Sequence, residues 1–177
     1  GNFIAVSSVT WQNPIETAVI TDNLSNTYIS AVTHDASTDL RSNVVYSYNI
    51  TGGACTVTTT AVNDRSIVIQ EFSGVQTSSD PVDASTNGNN GTSATLASGS
   101  INPTGTCLYI GSHGTKATQS ADATAATGFV ISTKQIINDT YAPSCQTHAI
   151  GTGAKTNQAD ADTSDVFSCC SAAFIEA

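Results

Sequence analysis

The stretch running from Asn43 to Ile50, "NVVYSYNI", decides the class of the fold. Read as an extended strand, it sets Val44, Tyr46, Tyr48 and Ile50 on one face and Val45, Ser47 and Asn49 on the other. No helical period accounts for that alternation. "VFSCCSAAFI" (166–175) behaves the same way, with Val166, Ser168, Cys170, Ala172 and Phe174 on one side and Phe167, Cys169, Ser171, Ala173 and Ile175 on the other. "RSIVIQEF" (65–72) is apolar on both faces, the pattern of a central strand buried between layers.

Shorter candidates follow in "TYISAVT", "ACTVTTTAV", "ATLASGSI", "TCLYIGS", "GFVISTKQII" and "CQTHAIGT". Turn signals rich in Gly, Asn, Asp and Pro separate them, among them "TDNLSN", "HDASTD", "TGG", "NGNNG" and "NPTG". No segment sustains a capped helical period; "SADATAAT" offers a turn or two. The polar, Asn/Gly-rich stretch 77–92 reads as a surface loop. The expected fold is all-β, an antiparallel β-sandwich or jelly-roll-like arrangement, formed by residues 1–177 as a single domain.

Composition supports this. Ser and Thr number 49 of 177 residues, while charged residues are only 11% against a usual figure of about 25%. Hydroxylated, β-branched Thr suits a pleated surface, and the helix-favouring Glu, Lys and Arg are scarce. The net charge is −9, with five scattered cations, Arg41, Arg65, Lys116, Lys134 and Lys155. Nucleic-acid binding needs a clustered basic footprint, so that class is excluded. No apolar run approaches the roughly 20 residues of a membrane helix, so no membrane insertion is expected.

Five cysteines, Cys55, Cys107, Cys145, Cys169 and Cys170, lack zinc-site spacing. The preferred reading is a disulfide framework in an oxidising compartment, with at least one bond and one thiol left over. The alternative is buried thiols in an intracellular β-protein. No cofactor is expected. "GSHG" sets Ser112 beside His113, but chain neighbours rarely act as nucleophile and base, and no nucleophile elbow is present. Asp160, Asp162 and Asp165 in "QADADTSD" are a weak hard-cation candidate, without the Gly and terminal Glu of an EF-hand; a solvated acidic loop is the plainer reading. Glu71, inside an apolar strand, reads as a buried carboxylate with a structural partner. Sequons at Asn23, Asn49, Asn90 and Asn138 occur at the frequency the composition sets and make glycosylation available. Trp11 and the five tyrosines could stack on sugar rings, although their places within strands put most of them in the core.

Four segments, "TDNLSNTY", "VVYSYNITGGACTVTTT", "RSIVIQEFSGVQTSSDPVDAS" and "DVFSCCSAAFIEA", together resemble a β-sandwich domain recurrent in large bacterial surface and secreted proteins and in some phage structural proteins. Such domains carry a D-x-x-G-N-x-Y-like turn, a Y-x-A-x-N-like strand before a G-G-A turn, and an E-Y-S-G-like strand end. The resemblance supplies no catalytic residues, and the cysteines depart from its pattern; the all-β pattern, the few charges, the hydroxyl-rich surface and the lack of a catalytic constellation make a non-enzymatic structural role the expectation. The resemblance also implies that a strand and an "A-G-N" turn precede the segment matched by "FIAVSSVTW". One strand is therefore expected to be missing, leaving Phe3, Ile4, Ala5, Val6, Ser7, Ser8 and Val9 as an open edge. That edge, free of charge, is expected to be completed by a segment of another subunit or another chain; the alternative is that the missing strand belongs to the same chain. The function expected is a structural subunit of an extracellular, cell-surface or virion-surface assembly, such as a filament, fibre or decoration protein. Its expected partners are copies of itself or neighbouring subunits; the alternative is a carbohydrate-binding adhesin module with a glycan partner.

Overall fold

The computed structural model of the chain describes residues 2–11, 18–60, 65–116, 124–135 and 144–177, and at 85–87, 133–135, 144 and 145 the backbone alone. Every regular element among them is a β-strand, and every strand pair is antiparallel. The strands are β1 (Phe3–Trp11), β2 (Ile20–Asp22), β3 (Ile29–Asp35), β4 (Leu40–Tyr48), β5 (Val57–Thr59), β6 (Arg65–Phe72), β7 (Val82–Ile101), β8 (Cys107–Thr115), β9 (Thr124–Ala125), β10 (Val130–Gln135), β11 (Ser144–Gly151) and β12 (Lys155–Ile175). One sheet has the order β3-β4-β1-β6 and the second β10-β11-β8-β12-β7.

The two sheets face each other across a core in which the expected alternation holds. Phe3, Ala5, Val44 and Tyr46 from the first sheet meet Leu108, Ile110, Cys170, Ala172 and Phe174 from the second. Phe174 lies 4.7 Å from Phe3 and 5.1 Å from Tyr46 between ring centroids. Burying each such ring contributes about 2–3 kcal/mol, so these rows hold the sandwich together. The opposite face of the first sheet is covered in part by the small β2–β5 pair, where Ile20 and Val57 pack with Ile4, Val6, Val45 and Ile67.

Two positions within the first sheet are reversed from the sequence reading. β1 pairs β4 along one side (Phe3↔Tyr48 to Trp11↔Leu40) and β6 along the other (Phe3↔Phe72 to Thr10↔Arg65). Phe3 to Val9 are buried and central, so they form no assembly edge and the first sheet has no gap beside them. β6, expected to be central, closes the described order of that sheet, and Ile69 is 46% exposed. β1 is buried along its whole length, which suits a strand paired on both sides, whereas β6 alternates buried and exposed residues and keeps Glu71 at the surface; the alternation of a strand does not reveal how many neighbours it pairs with. Ile50 also leaves its expected face. Asn49 turns left-handed (φ 52°), ending the alternation, and Ile50 packs with the Ile4–Val6 cluster instead of with Tyr46.

The second sheet is bent double. Ser171 pairs near Thr86, and Ser98 lies twelve residues further along β7, about 40 Å away in a straight strand. Their hydroxyls are nevertheless 2.9 Å apart. The β7–β12 ribbon therefore folds back so that residues 95–101 and 155–160, with β9, cover the face of the sheet turned away from the first. The bend lies where Asp160 pairs with Thr95 and Asp165 with Ser93, a four-against-one bulge. Leu96 thereby packs on Phe167 and Cys169, and Ile101 on Cys107, Tyr109 and Ala173. Close approach requires Gly111, where a Cβ would sit 2.5 Å from the Asn157 side chain. "NGNNG" and "QADADTSD", read as loops, thus belong to two strands of 20 and 21 residues. Small and polar residues there let the ribbon bulge and bend.

Candidate functional site

The segment that carries the resemblance forms a knot at one end of the sandwich. Asp22, the last residue of β2, accepts hydrogen bonds at Oδ1 from the backbone N–H of Leu24 (2.9 Å) and Asn26 (3.0 Å). Its Oδ2 accepts from Asn26 Nδ2 (2.7 Å), the Tyr28 hydroxyl (2.9 Å) and the Cys55 thiol (3.4 Å). Desolvation pushes the Asp22 carboxyl upward, but the bonds from Asn26, Tyr28 and Leu24 outweigh it and hold the pKa at about 2. The "TGGAC" loop is tied on by amides. Asn23 donates to the Ala54 carbonyl and accepts from the Thr56 N–H, and Asn26 accepts from the Thr51 N–H. "TDNLSNTY" and "GGAC" are therefore one structural unit, assembled by Asx-type side-chain-to-backbone bonding.

Two shallow depressions flank this knot. One, of about 290 Å³, is lined by Asn2, Ile4, Ile50, Gly53, Cys55 and Glu71. The other, of about 450 Å³, is lined by Ser25, Asn26, Ile29, Tyr48, Asn49 and Thr51. Glu71, expected to be buried, is exposed and accepts a hydrogen bond from Asn2, a consequence of the outer place of β6.

The cysteines correct the disulfide expectation. Cys55, Cys107, Cys169 and Cys170 are thiols. Cys145, whose side chain lies outside the described residues, pairs with His113 from β11, while Cys169 pairs with His113 from β12. Two strand spacings, about 9–10 Å, separate Cys145 from Cys169, beyond the roughly 7 Å that a disulfide spans between Cα atoms. Burial and the neighbouring Asp83 carboxylate push the Cys107 thiol up to about 11, and burial raises Cys170 as well. We expect all four described cysteines to be alkylated on unfolding without reductant; an intact mass that rises on reduction would overturn this.

Other candidates are placed apart. Ser112 donates to the Ser8 carbonyl on the core side of β8, while His113 on the far side lies 2.8 Å from the Thr147 hydroxyl, so the two do not meet. His34 bonds Asn90, and His148 lies 2.7 Å from the Ser132 hydroxyl. Asp160 accepts from Gln158, and Asp165 accepts from the Val166 N–H at the ribbon bend. No cluster of three or more potential metal ligands, Asp162 included, exists among the described residues.

Of the sequons, Asn138 lies outside the described residues. Asn23 and Asn90 have both ends of their amides engaged by protein groups. Asn49 is exposed. Trp11, Tyr46 and Tyr109 are buried. Tyr48 alone among the described aromatics lines the larger depression, and Tyr141 lies outside the described residues. The sequence put most of the tyrosines in the core without singling out Tyr48, which packs against the core and also lines this depression. The signal was the strand's end at Asn49, where a strand ring meets a loop. The chain matches no family model, no curated protein and no solved structure.

Proposed function

We propose that the chain is a non-enzymatic structural module, a β-sandwich subunit of an extracellular, cell-surface or virion-surface assembly. The observation that carries this reading is the use made of polar side chains: they tie layers and loops together. Ser42 donates to the Ser168 carbonyl (2.7 Å) and Ser168 to the His34 carbonyl (3.0 Å), joining the two sheets. Gln146 donates to Ser7 (3.0 Å) across the same interface. Ser98 and Ser171 fasten the folded ribbon, and Asp22 fastens the loop end. The hydroxyl-rich, charge-poor composition serves rigidity, the property a displayed subunit needs. Because β1 is central, subunits associate through formed surfaces and not by filling a gap at Phe3–Val9.

Electron microscopy and sedimentation of the purified chain over a wide concentration range test this. Ordered oligomers or filaments are expected, and a strict monomer at the highest concentration would overturn it. A second reading, a carbohydrate-binding adhesin module, is favoured by the loop end, where an aromatic ring, amides and hydroxyls meet. Selective glycan binding by a monomer would favour it over the first.

A further inference from the structure

Two non-glycine residues among those described hold a left-handed backbone, Ser25 (φ 61°) and Asn49 (φ 52°). They lie 24 positions apart in the chain, yet both line the depression of about 450 Å³. Glycine would hold either conformation at lower cost, because a Cβ crowds the backbone there. Asn is tolerated in this region, Ser less so. Side chains kept at two strained positions on one rim are the pattern expected where the side chains themselves are used.

The rest of the wall fits that use. Tyr48 ends an aromatic column: its ring stacks on Tyr46 at 6.2 Å and 22°, and Tyr46 stacks in turn on Phe3 at 5.9 Å and 22°. The ring is thus held by the core, and its exposed part borders the depression. Around it stand the Asn49 amide and the Ser25 and Thr51 hydroxyls, all exposed. Asn26 is fixed by Asp22 beneath. No side chain lining the depression is charged. The nearby Asp22 carboxylate is consumed by five donors.

We propose that this depression is a subsite for a neutral saccharide, with a pyranose face on Tyr48 and its hydroxyls on Asn49, Ser25 and Thr51. The volume lies in the range of about 300–1,000 Å³ usual for small-molecule sites. An aromatic face supplies flat apolar area for the C–H face of a sugar, and amides and hydroxyls supply donors and acceptors in both directions. Acidic sugars are disfavoured by the net charge of −9 and by the absence of any cation in the wall. The proposal rests on the second reading above and names its site.

The test uses the full chain made in a bacterial cytoplasm, where Asn49 carries no glycan, on an array of neutral and acidic oligosaccharides. Titration with the methyl glycosides of the hits follows. Neutral glycans are expected to bind. Asn49→Gly, which relieves the backbone, is expected to keep or raise the thermal midpoint while weakening binding at least tenfold. Tyr48→Ala is expected to abolish binding. Loss of affinity without loss of stability in Asn49→Gly separates a ligand contact from a structural one. Glycan binding that both variants retain would overturn the subsite and leave the recognition reading standing. No binding to any neutral glycan, or preference for acidic ones, would overturn the subsite, and silence across the whole array would remove the recognition reading too.

Discussion

Replacing Gly88 with alanine will lower the thermal midpoint by about 12 °C. Gly88 sits in the "NGNNG" stretch of β7 with φ +85°, and a Cβ there would lie 1.7 Å from the Cys169 carbonyl oxygen and 2.8 Å from the Cys170 Cα. Both obstacles are backbone of a buried strand held between β8 and β7, so neither yields by a rotamer change. Left-handed strain and the forced shift of β12 together cost about 4 kcal/mol. In a chain of this size each kcal/mol is worth about 2–4 °C. Gly74→Ala is the control: it has a similar φ of +83° with nothing within 4 Å, so only the strain of about 1 kcal/mol remains. Equal midpoints for the two variants would show that the β7 bulge does not approach β12 as described.

Acid will weaken the fold in two separate steps. His113 is fully buried between β8 and the folded-back ribbon. Burial lowers its pKa from 6.5 to about 4. The unfolded chain therefore binds a proton that the folded chain refuses. The stability this represents is complete above pH 6.5 and falls as pH drops toward 4, a loss of about 3 kcal/mol from this group. His148, also lowered by burial, adds in the same direction. The second step belongs to carboxylates whose pKa is depressed. Asp22, held at about 2, with Asp35, Asp39 and Asp83 also lowered, loses its contribution as pH falls below 3.8. Urea titrations across pH should show both windows. His113→Gln should make the upper window shallower, leaving the part that belongs to His148, and spare the lower one. An unchanged slope between pH 6.5 and 4 in that variant would rule out His113 as the source.

The resemblance segments show how legible the candidate site was. "TDNLSNTY" and "GGAC" are each legible as turns, the first because Asp22 caps the backbone of its own turn at Leu24 and Asn26 and the second because of its paired glycines, local effects that need no knowledge of the fold. Their union into one knot, through Asn23 to Ala54 and Thr56, spans 31 and 33 residues and was not readable. The depression beside Tyr48 was hidden for the same reason, since its rim comes from two separate segments.

The sequence by itself determined the all-β class and the sidedness of its best strands. Val44 and Tyr46 share one core with Cys170, Ala172 and Phe174, while Val45 and Phe167 turn away, because side chains in a strand alternate whatever lies beside it. Which strand sits where was decided by the tertiary structure. A run such as "FIAVSSVT" looks the same at an edge or between two neighbours, since pairing depends on residues more than thirty positions away. The folding-over of β7 on β12 was equally beyond reach, because the Gly and Asn that permit a bulge in a long strand are the same residues that end a short one.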